Sequence, residues 1–231
     1  MSLLDLFRPK DLEPVASDYL ERTRHKPKRK TQLRSLTPVV LDAETTGFDV
    51  GIDRLLSIAT VEVQDREMVV ESSRQWLVYQ SEAAANEAVS VHGILPSETA
   101  SGRPEREVMA ELLPLLAGRL IVGHHIGFDM KMLSHAAHAH FRIRLHNMVV
   151  DTALLAMQEM EAFKQTGYPN QRPPSLDDVC SQLNIPAHER HTAGGDAFTT
   201  AEVFLILCGR LRQRLGRPVE LRDLGSARLH L

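Results

Sequence analysis

Residues 39–47 decide the fold, and they read Val39-Val40-Leu41-Asp42-Ala43-Glu44-Thr45-Thr46-Gly47. Three apolar residues followed by polar ones predict a short buried strand that ends in an acidic edge. Residues two apart in a strand face the same side, so Asp42 and Glu44 project together. Two adjacent carboxylates repel each other unless a cation lies between them, which indicates a site for a hard metal ion. An exposed turn at the end of a strand would give the same pattern.

The rest of the chain predicts an α/β fold around this strand. Apolar runs at residues 55–63 and 76–79 predict two strands that follow through short turns and are therefore antiparallel. Residues 120–123 and 149–150 predict two more strands, reached through helices and therefore parallel. The fold class is a mixed five-stranded sheet, three strands antiparallel and two parallel, flanked by helices. The last long helix carries one apolar stripe, formed by Ala197, Ala201, Phe204, Cys208, Leu211 and Leu215.

Composition limits the environment and the partners. The net charge of -3 gives no general attraction for nucleic acid, so a polyanion would need local basic patches or bound metal ions. The only cysteines, Cys180 and Cys208, lack zinc-site spacing and fit a reducing, cytoplasmic location. There is no apolar run long enough to cross a membrane and no secretory signal pattern, so no membrane partner is expected.

Composition also suggests three segments. Residues 1–35 form a basic N-terminal arm, residues 36–215 the main domain and residues 216–231 a short C-terminal tail. Residues 22–30 hold six Lys or Arg side chains and no acid. Like charges repel, which predicts a solvated, partly flexible arm. The alternative is a flexible clamp for a phosphate backbone.

Two further acids stand where a strand or loop leads into a helix. Asp129 ends the stretch Gly123-His124-His125-Ile126-Gly127-Phe128-Asp129, and Asp196 ends the stretch His191-Thr192-Ala193-Gly194-Gly195-Asp196. Taken singly, each acid would be explained by the helix dipole, and His191 by an ordinary loop position.

Together, these motifs resemble the DEDD exonuclease superfamily, and specifically its histidine subclass, typified by the proofreading epsilon subunit of bacterial DNA polymerase III. Two other segments extend the resemblance: Val91-His92-Gly93-Ile94 and Ser175-Leu176-Asp177-Asp178 are similar to elements found between the family's motifs. Matching segments run from about residue 37 to residue 211, which is most of the chain. The order of the motifs is specific, whereas each motif alone is weak.

The resemblance implies an RNase-H-like fold and metal-dependent removal of nucleotides from 3′ ends. It implies that four acids hold two Mg²⁺ or Mn²⁺ ions and that His191 is the general base. The acids are Asp42, Glu44, Asp129 and Asp196. Substrate contacts carry over to Thr45, Thr46, Gly47, His92, His125 and Phe128, although Phe128 would equally suit the core. His125 stands where the family usually has Asn, which leaves strand positioning and pH dependence in doubt.

Several questions stay open at this level. DNA is the favoured substrate, and an RNA-trimming enzyme of the ribonuclease T or oligoribonuclease type is the alternative. A binding module without activity is a weaker rival, because all five key residues are present. A polymerase subunit is a possible partner but is not indicated, so the protein would either proofread for a polymerase or act alone. His135 and His138, three apart on a predicted helix, are either a metal pair or, as we favour, part of an ordinary surface.

Overall fold

The computed structural model describes residues 12–81, 93–164, 172–186, 189–225 and 227–228. Within these residues one sheet has the strand order β3-β2-β1-β4-β5-β6. The strands are β1 (Val39–Thr45), β2 (Leu55–Gln64), β3 (Glu67–Leu77), β4 (Leu120–Gly123), β5 (Met148–Asp151) and β6 (Ala227–Arg228). The helices are α1 (Pro14–Arg24), α2 (Pro96–Thr99), α3 (Glu105–Leu116), α4 (Gly127–Phe141), α5 (Thr152–Glu159), α6 (Leu176–Leu183) and α7 (Ala193–Leu215).

Strand pairing confirms the predicted mixed sheet. β1 pairs antiparallel with β2 and parallel with β4, β2 pairs antiparallel with β3, and β4 pairs parallel with β5. The prediction for the third strand, residues 76–79, was wrong in extent, because β3 starts at Glu67. Most of β3 is exposed and carries polar residues such as Ser73 and Arg74, so no apolar alternation marks it. The short β6, antiparallel to β5, was not predicted.

Side chains of β1 alternate between two hydrophobic cores. Val39 and Leu41 pack with residues of α1, α3 and α4, whereas Val40 packs with residues of α5, α6 and α7. Because the side-chain period of a strand is two, Asp42 and Glu44 continue on the side of Val40. They therefore reach the carboxyl end of β1 on the face that α7 covers.

The N-terminal segment differs from the predicted solvated arm. Residues 14–24 form α1, in which Ala16 and Tyr19 are fully buried. The Tyr19 hydroxyl donates to Asn147 Oδ1 at 2.6 Å and accepts from the His146 backbone N–H at 2.9 Å. Residues 24–30 are mostly exposed, as predicted, but their backbone is held, since Arg29 accepts a hydrogen bond from the Arg222 N–H. The prediction of a solvated arm is therefore wrong for residues 14–24, because α1 buries Ala16 and Tyr19 in the core of the domain.

The C-terminal segment also joins the domain. Val219, Leu221 and Leu224 are buried in the core on the α7 side, and Ala227–Arg228 extends the sheet. The segment is thus more than the short tail predicted for residues 216–231. None of the helices in the described ranges is both long and apolar enough to span a membrane.

Candidate metal centre and active site

Three acids from two distant parts of the sequence meet at the carboxyl end of β1. Asp42, Glu44 and Asp196 each offer an oxygen, and these oxygens lie within 4.8 Å of one another. β1 supplies the first two, and the first turn of α7 supplies Asp196. Such a set of hard oxygen ligands suits Mg²⁺ or Mn²⁺. In the described part of the chain, this is the one group of three or more His, Cys, Asp or Glu residues arranged to hold a metal ion.

Asp129 lies beside this cluster without belonging to the set of three. It stands in the first turn of α4, which begins where the chain leaves β4, and it is buried. Its Oδ1 accepts a hydrogen bond of 3.0 Å from the backbone N–H of Ala43, the residue between Asp42 and Glu44. The structure therefore brings the fourth predicted acid to the same edge and fixes it against β1.

The cluster is electrostatically unfavourable as it stands. Burial first, and then the charges of Asp129, Asp196 and Glu44, raise the pKa of Asp42 well above its ordinary value. Burial and the charge of Asp196 raise the pKa of Glu44 to about 7. Burial likewise raises the pKa of Asp129 to about 7, although hydrogen bonds from backbone N–H groups oppose the change. Carboxylates held together in this way would be stabilised by a cation.

His191 and its neighbours form the loop that leads into α7. His191 is exposed, and its backbone N–H donates to Asp196 Oδ2 at 3.3 Å. Next to it, Arg190 forms ion pairs with Asp196 and with Asp177, the second at 2.6 Å. The contacts of Arg190 were not predicted, because nothing in the sequence places residue 190 against residue 177. Asp177 belongs to the Ser175–Asp178 element, which resembles a segment of the DEDD exonucleases.

The segment after β1 is a tight loop organised by Asp53. The Thr46 hydroxyl donates to Asp53 Oδ1 at 2.7 Å, and the Thr45 hydroxyl donates to the Gly47 carbonyl at 2.7 Å. A Cβ added at Gly47 would lie 2.6 Å from Asp53 Oδ2, so only glycine fits there without displacing Asp53. The predicted contact residues thus lie directly beside the acids, with their hydroxyls engaged in holding the loop.

Aromatic side chains border the same loop. Phe48 is 91% exposed, and its ring lies 5.8 Å from that of the half-buried Phe128. Phe128 packs against the core, as one of its two predicted roles requires, and its contact with substrate stays a prediction. Phe48 was not predicted from the sequence, and its exposure gives a large apolar surface on the loop that follows the acids of β1.

The two histidines after β4 differ in environment. His124 lies between Thr152 Oγ1 and the Pro174 carbonyl, each 2.9 Å from a ring nitrogen, and burial lowers its pKa to about 4. His125 is exposed with a positive φ of 56°, and its N–H donates to Asp151 Oδ1 at 3.0 Å. A left-handed backbone favours Asn, which agrees with the family's usual residue here. His92 lies outside the described residues.

Comparison with known proteins identifies the family. The profile of the exonuclease family matches residues 39–204. A DNA polymerase III subunit epsilon-like protein of Rhodobacter capsulatus is 32% identical over 188 residues, covering 80% of this chain and 25% of that protein. A PolC-type DNA polymerase III of Thermotoga petrophila is 30% identical over 175 residues, covering 76% of this chain and 12% of that protein. The chain thus spans a quarter or less of the length of these two relatives.

A solved structure has the same fold. Exonuclease I of E. coli, in complex with a dT13 oligonucleotide, superposes with a TM-score of 0.64 at 18% identity, over 78% of this chain and 42% of that chain. At this identity the likeness supports the RNase-H-like fold and no more. The family profile covers most of the chain and includes all four acids and His191. The chain therefore belongs to the exonuclease family, and its resemblance is to the DEDD-type 3′→5′ exonucleases.

Proposed function

We propose that this protein is a metal-dependent 3′→5′ exonuclease that hydrolyses the terminal phosphodiester bond of nucleic acid. The observation that carries the proposal is the meeting of Asp42, Glu44 and Asp196 within 4.8 Å, with Asp129 fixed against the same strand. A buried group of acids with raised pKa values is costly unless it serves a cation. Membership of the exonuclease family supports hydrolysis of a phosphodiester bond as the chemistry of that cation site.

The four acids would hold two divalent cations, Mg²⁺ or Mn²⁺. Two such metal ions would stabilise the negative charge on the attacking and leaving oxygens of an in-line displacement. Asp42, Glu44 and Asp196 would supply ligands from one side, and Asp129 from the start of α4. The ions would also give a protein with a net charge of -3 a local positive surface for a phosphate backbone.

His191 would act as the general base that takes a proton from the attacking water. Imidazole titrates near neutral pH, which suits proton removal at physiological pH. His191 is exposed and lies in a loop. Its side chain could therefore move towards the substrate. Its backbone hydrogen bond to Asp196 keeps it next to the acids.

The 3′ end would lie on the loop after β1. Thr45, Thr46 and Gly47 would line the path of the terminal nucleotide, and the exposed Phe48 would give a base a surface on which to stack. We favour single-stranded DNA because exonuclease I was solved with a dT13 oligonucleotide and the relatives are named as DNA polymerase III proteins. We place the activity in the cytoplasm, where the free thiols of Cys180 and Cys208 would stay reduced.

The test is digestion of DNA and RNA strands of equal sequence, labelled at the 5′ end, with Mg²⁺, Mn²⁺ or a chelator. We expect a ladder of labelled products that shortens stepwise from the 3′ end in either metal, faster for DNA, and no products in chelator. Faster digestion of RNA would favour the RNA-trimming alternative. Tight binding of both strands without cleavage in either metal would instead indicate a binding module.

A further inference from the structure

Arg190 connects the candidate metal centre to a neighbouring helix. Its Nε donates to Asp177 Oδ1 of α6 at 2.6 Å, and its Nη1 donates to Asp196 Oδ1 in the first turn of α7. The Arg190 side chain is only 14% exposed and that of Asp196 only 12%, whereas Asp177 is 55% exposed. One guanidinium therefore bridges a solvated carboxylate and a buried one that the metal would need.

Both oxygens of Asp196 are engaged by the same loop. Oδ1 accepts from the Arg190 side chain, and Oδ2 accepts from the His191 backbone N–H at 3.3 Å. A metal ion that takes Asp196 as a ligand draws on oxygens that already accept these two hydrogen bonds, and its binding therefore weakens or displaces them. The guanidinium also carries a positive charge, which a second cation at the same carboxylate would repel.

The loop itself is held in an unfavourable backbone conformation. Glu189 and His191 have positive φ values of 46° and 62°, a region that costs free energy for residues other than glycine. The Glu189 carbonyl accepts from the Thr192 hydroxyl at 2.8 Å and lies so close to Gly195 that a Cβ there would collide with it. Loss of the Arg190–Asp196 contact would remove one of the restraints that hold His191 in this conformation.

We propose that Arg190 is a positioning residue that occupies the cation position at Asp196 in the metal-free protein and yields that carboxylate to the metal ion. Asp177 keeps the guanidinium when Asp196 is released, so the loop stays attached to α6. Metal loading and the placement of His191 are thereby coupled through one side chain. This inference rests on the metal site of the proposed function.

The test is calorimetric titration of Mn²⁺ into wild type, Arg190→Gln and Arg190→Lys, with thermal unfolding of each in chelator. Arg190→Gln removes the charge that competes with the metal ion, so we expect Mn²⁺ to bind about 10-fold tighter. This factor corresponds to one charge-assisted hydrogen bond that Mn²⁺ no longer has to break. Its unfolding temperature in chelator should fall, because the acids lose their compensating charge, and Mn²⁺ should raise it more than in wild type. Arg190→Lys keeps the charge but not the fork, and its affinity should lie between the two.

Arg214→Gln is the control for the loss of an arginine–carboxylate ion pair elsewhere, because Arg214 binds Glu159 at 2.6 and 3.0 Å at the other end of α7. It should leave Mn²⁺ affinity unchanged. Mn²⁺ binding by Arg190→Gln that is equal to or weaker than that of wild type would overturn the inference. If Arg190→Gln does not fold, a Mn²⁺ affinity of Arg190→Lys equal to that of wild type would overturn it. Absence of Mn²⁺ binding in wild type would contradict the metal site itself, which is a separate result.

Discussion

At the scale of single residues, the proposed metal ligands and the proposed base differ in their surroundings. The acids are buried or half-buried and attached to β1, α4 and α7, whereas His191 is exposed in a loop. Rigid elements suit metal ligands, which must keep fixed positions, and a loop suits a base that has to approach the substrate. Substitution of the two kinds of residue should therefore have different effects.

Replacement of the histidine should affect turnover and spare the metal. We expect His191→Ala to lower kcat by about 10² to 10⁴, the usual contribution of general-base catalysis. Mn²⁺ affinity measured by calorimetry should stay close to that of wild type, because none of the acids is changed. A parallel loss of Mn²⁺ affinity would move His191 into the set of metal ligands.

Raised carboxyl pKa values predict a pH dependence of stability in chelator. The pKa of Glu44 rises from 4.5 to about 7 on folding, so the folded state holds a proton more tightly than the unfolded state. That contribution to stability is complete at low pH and is lost as the pH rises towards about 7. The unfolding temperature of Glu44→Gln minus that of wild type should therefore increase between about pH 4.5 and pH 7 and then level off. A difference that stays constant across this range would refute the assigned pKa.

At the scale of secondary-structure elements, α1 supports the core below the site. The Tyr19 hydroxyl connects it to the residues that precede β5, through Asn147 Oδ1 and the His146 N–H. Asn147 in turn donates to the carbonyls of Leu116 and Arg119, which bracket the connection from α3 to β4. Removal of α1 would leave these buried polar groups and an apolar face without partners.

Loss of one hydroxyl should therefore weaken the whole domain. We expect Tyr19→Phe to lower the free energy of unfolding by about 1–3 kcal/mol, the cost of leaving a buried donor or acceptor unsatisfied. Tyr79→Phe is the control, because Tyr79 is 46% exposed, and it should change stability little. Equal denaturant midpoints for Tyr19→Phe and wild type would contradict the assigned role of α1.

The elements also indicate what the sequence could not predict. The acids of β1 were predictable, because apolar residues followed by Asp42 and Glu44 specify both the strand and the shared face. Most of β3 was not, since an exposed antiparallel strand carries no apolar alternation. The pairing of Arg190 with Asp177 joins residues 13 apart across a loop and depends on how α6 and α7 pack. Phe48 was not predicted because only the fold reveals that this apolar residue stays exposed on the loop after β1.

At the scale of the whole molecule, the start of the basic run lies near the amino ends of the parallel strands, whereas the acids lie near the carboxyl ends. The acids lie at the carboxyl ends of β1 and β4, whereas Lys26 donates to the His146 carbonyl before β5 begins. Gly118, before β4, packs against the Arg22 backbone. Arg22 and Lys26 are thus at the end of β4 and β5 opposite the acids, and we expect a short substrate bound at the acids not to reach the basic run.

This separation predicts a length-dependent role for the basic run. We expect the triple substitution Lys28→Gln, Arg29→Gln and Lys30→Gln to raise KM at low salt for long single strands, because each lost phosphate contact reduces counterion release. Strands of about four nucleotides should keep their KM, and kcat should be unchanged for both lengths. If KM and its salt dependence are unchanged for long strands, the basic run does not contact the substrate and is only a solvated surface.

The most direct test of the carboxylate centre is the rate of 3′-end cleavage by Asp42→Ala, measured against Mg²⁺ concentration beside wild type. We expect cleavage by wild type that rises with Mg²⁺ and stops in chelator. Asp42→Ala should lack cleavage at every concentration and yet fold, with an unfolding temperature in chelator no lower than that of wild type, because charge repulsion among the acids is relieved. Full activity of Asp42→Ala with the wild-type metal dependence would contradict the account.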